Sequence, residues 1–216
     1  MKKITLFIFF SCVVFLMGQS QNTANNDGAF PSVKIGNQIW STENLSVVTF
    51  RNGDVIPEAK TAKEWETYGA AGEAAWCYYD KDSVNGNKYG RLYNLYAVND
   101  PRGLSPKGWH VPSDVEWSTL ETYLGGTSVA GVKMKSNKGW KKEGNGTNSS
   151  NFSALPGGFR SNNGTFINIG SNGYWWSSPD NGSTLAWCRN LNYDNTSVGR
   201  RNNVKSGGFS VRLVKD

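Results

Sequence analysis

The chain has 216 residues, of which 38% are hydrophobic and 19% charged, and its 23 Lys and Arg against 17 Asp and Glu give a formal net charge of +6. That length is within reach of one domain with a sizeable core. The positive surplus is small and dispersed, and no basic run is interleaved with aromatics, so nucleic acid is excluded as an expected partner.

Residues 1–20 read as a secretory signal peptide: Lys2 and Lys3 form a basic start, an apolar run extends from Ile4 to Met17, and Gly18-Gln19-Ser20 offers small residues for cleavage. The run is shorter than the ~20 apolar residues that a membrane-spanning helix needs, so no transmembrane segment is expected in the mature chain. Lipid attachment at Cys12 is the alternative, but it would leave Val13 to Met17 where a polar tether belongs. Removing Lys2 and Lys3 lowers the charge to 6 − 2 = +4. Residues 21–32 then form a polar, disordered tether, and residues 33–216 a single domain.

Val33 to Trp40 alternates apolar and polar positions around Gly36-Asn37, which predicts a hairpin. Thr61-Ala62-Lys63-Glu64 is a capping box; the helix it starts turns Trp65 and Tyr68 inward and is expected to stop at Gly69. The stretch Gly108-Trp109-His110-Val111-Pro112-Ser113-Asp114-Val115-Glu116-Trp117 reads as a strand running into a second capped helix, with Ser113 as N-cap and Glu116 reaching back to it. Such a cap contributes about 1 kcal/mol. This helix puts Trp117, Leu120 and Leu124 on one stripe and ends at Gly125-Gly126. From Phe152 onward, short apolar stretches alternate with Asn, Gly and Ser, and Asn162-Asn163-Gly164 marks a hairpin turn. In the last stretch Phe209, Val211 and Leu213 point one way, and Ser210 and Arg212 the other. Two short helices ahead of many strands predict an α+β fold with an antiparallel sheet.

Few residues invite chemistry. His110, the single histidine, sits between Trp109 and Val111 and reads as a hydrogen-bonded brace at the strand–helix junction. No zinc-ligand spacing, phosphate loop or nucleophile elbow is present. Cys77 and Cys188 would survive export and either bridge or lie as separate buried thiols. Asp80, Asp82 and Asn85, ahead of Gly86, gather oxygen atoms as a calcium loop does, but with spacing one residue off; a solvated turn between two strands is the plainer expectation. Ser178-Pro179-Asp180-Asn181 is only faintly like a lectin calcium motif. Of nine tryptophans, Trp40, Trp117 and Trp187 are expected in the core. Trp175 and Trp176 are adjacent in a strand and must face opposite ways, which makes Trp176, with Trp140 in its polar run, the candidate exposed ring for ligand binding. Arg160, Arg189, Arg200 and Arg212 recur along the late strands and are expected to pin loops through bidentate pairs with Asp or Glu.

Six ordered phrases carry a resemblance: Gly36-Asn37-Gln38-Ile39-Trp40, Tyr89-Gly90-Arg91-Leu92-Tyr93-Asn94, Gly108 to Trp117, Ala154 to Arg160, Tyr174-Trp175-Trp176-Ser177-Ser178 and Gly208 to Arg212. Together they resemble the Fibrobacter succinogenes major paralogous domain family, secreted and surface proteins frequent in Bacteroidetes and Fibrobacteres. Pro112-Ser113-x-x-Glu116-Trp117, an aromatic strand and a terminal Gly-Phe-x-x-Arg are similar, more distantly, to the formylglycine-generating (sulfatase-modifying) enzymes. The resemblance implies a C-type lectin-like domain, two helices flanking a small twisted sheet with long loops. Relatives commonly carry cysteines where this chain has Ser105 and Leu213, which implies a bridge lost here and a C-terminal strand held by packing alone. The enzymes act through neighbouring cysteines, and Cys188 has no neighbour in sequence. The resemblance therefore implies an exported, non-enzymatic recognition or adhesion module at the cell surface, secreted or on the outer membrane, that binds a polysaccharide or a surface protein. An enzyme related to the formylglycine group and a structural subunit of a surface assembly are the alternatives.

Overall fold

The structure, a computed structural model, describes residues 30–178 and 185–216. The signal peptide read at 1–20, most of the tether and Pro179-Asp180-Asn181 lie outside the described residues. Phe30 to Ser32, assigned to the tether on sequence, take part in the fold: Phe30 packs edge-on to Trp109 at 5.8 Å, and Ser32 opens the first strand.

The first hairpin forms as the alternation requires. Strands β1 (Ser32–Ile35) and β2 (Gln38–Ser41) pair antiparallel with Ile35 opposite Gln38, and Gly36 supplies the left-handed turn residue with φ 62°. Two later segments complete this sheet, β5 (Trp109–His110) and β11 (Val214–Lys215), in the order β1-β2-β11-β5. A second sheet pairs β3 (Trp76–Cys77) with β4 (Leu92–Tyr93). The third contains β6 (Gly157–Arg160), β7 (Phe166–Ile169), β8 (Asn172–Trp176), β9 (Leu185–Asn192) and β10 (Val198–Val204), in the order β10-β9-β8-β6-β7. It is mixed where an antiparallel sheet was expected: β6 and β8 run parallel, through Gly158 and Gly173.

The described residues hold five helices, where the sequence indicated two. Helix α1 (Ala62–Ala71) has the capping box at Thr61 and Glu64 but runs past Gly69 to a left-handed cap at Gly72, φ 70°. Gly69 is a packing glycine: a Cβ there would lie 2.8 Å from Ser206 Cβ. Helix α4 (Asp114–Tyr123) starts at Ser113 with its box complete and buries Trp117 and Leu120. The others are α2 (Ser83–Tyr89), α3 (Leu95–Val98) and α5 (Thr127–Met134). These three are short and lack a long amphipathic stripe, so tertiary contacts rather than local periodicity hold them.

Three buried clusters fill the space between layers. Trp76, Trp109, Trp176 and Phe209 belong to one; Trp40, Trp117, Trp140, Phe152 and Trp175 to the next; Trp65, Cys77 and Tyr79 to the smallest. The C-terminal segment threads between them. Phe209 bridges to Tyr93, Ser210 to Trp175 and Gly208 to Arg160. Its side chains alternate as read, yet both sides are sealed: Phe209, Val211 and Leu213 on one, Ser210 and Arg212 on the other. Nor is it held by packing alone, because Ser41 N donates to Leu213 O at 2.9 Å and Leu213 N to Ser41 Oγ at 3.0 Å.

Candidate functional site

The junction before α4 is built from charges. His110 Nδ1 lies 2.7 Å from Asp216 Oδ1 and Nε2 lies 2.7 Å from Glu116 Oε1, while Glu116 Oε2 accepts from Ser113 N and Oγ. Burial works against the imidazolium, but the two carboxylates outweigh it and raise the His110 pKa. Burial likewise opposes the Glu116 charge, and its bonds to Ser113 and His110 hold its pKa below the usual range. Both ring nitrogens are engaged, Nε2 bracing β5 to α4 and Nδ1 tying β5 to the residue that follows β11.

The four arginines divide two and two. Arg189, fully buried, donates to Glu121 at 2.5 Å and Asp114 at 2.6 Å, and Arg200 forks onto Asp114 with two bonds of 2.9 Å while stacking 3.2 Å above the Trp187 ring. Both pair with carboxylates as expected, but they fasten helix α4 to the sheet where loops were expected, and only Arg200 forks onto one carboxylate. Arg160 and Arg212 meet no carboxylate among the described residues. Arg160 caps the carbonyls of Ala59, Thr61 and Gly164. Arg212 donates to Ser41 O, Phe152 O, Ser153 O and Asn44 Oδ1, and its burial pulls its pKa down to about 9.

Neither candidate ring is exposed. Trp176 is 0% and Trp140 5% accessible; Trp176 Nε1 donates to Tyr93 O and Trp140 Nε1 to Ala154 O. Adjacent strand residues do face opposite ways, but here both Trp175 and Trp176 are covered, each on its own face. Trp187, expected in the core, is half-buried instead, under Arg200. Cys77 and Cys188 are free thiols in different clusters, so the bridge is not formed. Burial pushes the Cys77 pKa up to about 12 and that of Cys188 to about 11, which makes both poor nucleophiles. The calcium reading also fails to fit. Asp82 caps α2 by accepting from Val84 N, and Asn85 Nδ2 donates to Tyr79 O. No group of three or more His, Cys, Asp or Glu gathers among the described residues.

The side of the five-stranded sheet away from α4 and α5 is only partly covered. There Phe159 and Tyr174, both half-buried, meet edge-to-face at 4.8 Å over Phe209. Asn168 lies near the Tyr174 hydroxyl. Across β9, Asn190 pairs with Tyr174 in register, and Asn203 Nδ2 donates to Cys188 Sγ at 3.4 Å. Asn190 Oδ1 is buried yet accepts no bond, and Arg201 stands exposed on β10 opposite Cys188. Two aromatic edges beside the Asn168 and Asn190 amides, with Asn203 and a guanidinium farther along the same face, form a surface that can stack an amphipathic ring and hydrogen-bond its rim. Composition hinted at this surface through its Asn-rich late strands; the particular rings were missed because Tyr174 and Phe159 look like core residues in sequence. A second aromatic also escaped notice. Tyr123 is 65% exposed and lies flat against Gly36, at the rim of a shallow hollow with Ile35, Asn37, Gln38 and Thr119. Its polar lining is partly committed, since Gln38 donates to Glu116 O and accepts from Trp40 Nε1.

Fold and site together define an α+β domain whose interior is sealed by aromatics and arginines and whose partly covered sheet face carries the accessible polar and aromatic groups. The chain matches the model of the Fibrobacter succinogenes major domain over residues 33–215 and belongs to that family. No curated protein and no solved structure matches it. Among the described residues no helix is long and apolar enough to cross a membrane.

Proposed function

We propose that this chain is an exported, non-catalytic recognition module that binds a polysaccharide or a surface protein at the bacterial cell surface, with polysaccharide the better fit. The signal-like start supports export, and the late loop-rich sheet flanked by capped helices is consistent with a C-type lectin-like arrangement. The observation that carries the reading is the Phe159–Tyr174 pair beside Asn168 and Asn190: ring edges and amides are the complement of a sugar's apolar face and hydroxyl rim. A relationship to the formylglycine-generating enzymes in activity is disfavoured, because Cys188 is buried, keeps its proton and has no second sulfur in its cluster.

A glycan array probed with the chain from Gln21 onward tests this. Binding to one or more saccharides that Tyr174→Ala removes is expected. Silence across the array, or binding indifferent to Tyr174, would move the function to a protein partner.

A further inference from the structure

Seven of the eight arginines in this chain are engaged. Arg51 donates to Ser105 O, Arg91 to Tyr78 Oη, Arg102 to Asp100 and Asp54, and Arg160, Arg189, Arg200 and Arg212 as described. Arg201 differs. No hydrogen bond or ion pair holds it among the described residues, although Arg200 beside it is locked between Asp114 and Trp187. An exposed, unpaired guanidinium in a molecule that otherwise spends its arginines on internal contacts is free to meet an outside anion.

Its position narrows the anion. In register Arg201 faces Cys188 and then Trp176, one step along from the row Gly199–Asn190–Tyr174. Strands are spaced about 4.8 Å apart, so the backbone of β10 lies roughly 10 Å from that of β8. A long arginine side chain spans part of that distance. Between them Asn190 Oδ1 is packed against Gly199 without a donor, and a buried acceptor left in that state needs water or a ligand to satisfy it. Aromatic edges, a buried acceptor short of a donor and a planar fork for a carboxylate thus follow one another across four strands, β6, β8, β9 and β10.

We infer that this sheet face selects acidic saccharides: the ring of a uronic acid lies on Phe159 and Tyr174 while its carboxylate, or that of the next sugar, accepts two N–H bonds from Arg201. The inference rests on the reading of the same face as the recognition surface, and it adds the charge of the ligand. A bidentate guanidinium–carboxylate pair is charge-assisted and geometrically specific, so it separates a uronate from its neutral counterpart.

Titration calorimetry of the purified protein with oligogalacturonate, a neutral gluco-oligosaccharide of equal length and dextran sulfate, using wild type, Arg201→Gln and Tyr174→Ala, tests it. Arg201 is exposed, so its replacement is expected to leave the melting curve unchanged. The expected result is binding of the galacturonate at least about tenfold tighter than the neutral sugar, with that ratio lost in Arg201→Gln while weak neutral binding persists. Tyr174→Ala weakens both. Equal affinity for acidic and neutral sugars, unmoved by Arg201→Gln, overturns the inference and leaves the sugar-binding reading intact. Dextran sulfate bound as well as galacturonate, with Arg201→Gln and Tyr174→Ala without effect, marks mere charge attraction and also overturns it. No binding of any sugar ends both.

Discussion

A fully buried arginine with no carboxylate beside it among the described residues is an expensive residue, and Arg212 is matched to its site by the carbonyls of Ser41, Phe152 and Ser153, which accept from it together with Asn44 Oδ1, an oxygen that Trp175 Nε1 also reaches. Replacing it with Met keeps the volume and strands the carbonyls of Ser41, Phe152 and Ser153. Each stranded group costs about 1–3 kcal/mol, so a loss of about 3 kcal/mol or more is expected in urea unfolding of Arg212→Met. A loss under about 1 kcal/mol would show that the cage relaxes freely. His110 makes the second prediction. Its folded pKa is raised, so its contribution is complete below the unfolded value of ~6.5 and disappears as pH rises through the raised value. Glu116 is held low, so its contribution is complete above its unfolded value of ~4.3 and disappears as pH falls. Stability measured against pH is therefore expected to decline on both sides, and His110→Gln to remove the alkaline decline. The effect is expected to stay below about 1 kcal/mol, because the ring is 40% exposed and partly screened. An unchanged alkaline limb in His110→Gln would contradict the assignment. At this scale the sequence was read well where chemistry is local, as in the bracing role of His110 beside the Ser113 cap. It was read badly where burial depends on distant chain: Trp176 is sealed by the segment from Gly208 to Leu213, and nothing near Trp176 in sequence announces that cover.

Helix starts were legible because N-caps are local. Thr61 with Glu64 and Ser113 with Glu116 form the boxes their spacing requires, and Asn162-Asn163-Gly164 turns β6 into β7. Helices α2, α3 and α5 were not legible, for a physical reason that α5 illustrates. Its Gly131 is unfavourable for a helix by about 1 kcal/mol relative to Ala, and it is there because the carbonyls of Thr196 and Ser197 approach it: a Cβ would sit 2.6 Å and 2.5 Å from their oxygens. Gly131→Ala is therefore expected to destabilise by about 1–3 kcal/mol, against its helix propensity, in thermal unfolding followed by circular dichroism. Stabilisation instead would mean that α5 and the Thr196–Ser197 turn are free to separate. Strand β10 escaped for a related reason. Its Arg200-Arg201-Asn202-Asn203 core has no apolar alternation, since it is an edge strand whose pairing with β9 supplies the order.

The whole molecule is organised by its late sequence. The segment from Gly208 to Val214 touches β6, β4, β8, β2 and β5 in turn, so the N-terminal hairpin, the β3–β4 pair and the five-stranded sheet share one seam. Such a frame seals eight of nine tryptophans inside and leaves recognition to what lies on its partly covered sheet face. The fold class and the family phrases could be read from the chain; the position of the surface could not, because it depends on which side of the sheet α4 and α5 occupy. The most direct measurement is amide hydrogen exchange of the protein with and without a saccharide identified by array binding. Slowed exchange is expected in residues 157–160, 172–176 and 198–204, with the β1–β2 hairpin unchanged. Protection confined instead to that hairpin and the end of α4 around Tyr123 would contradict the account.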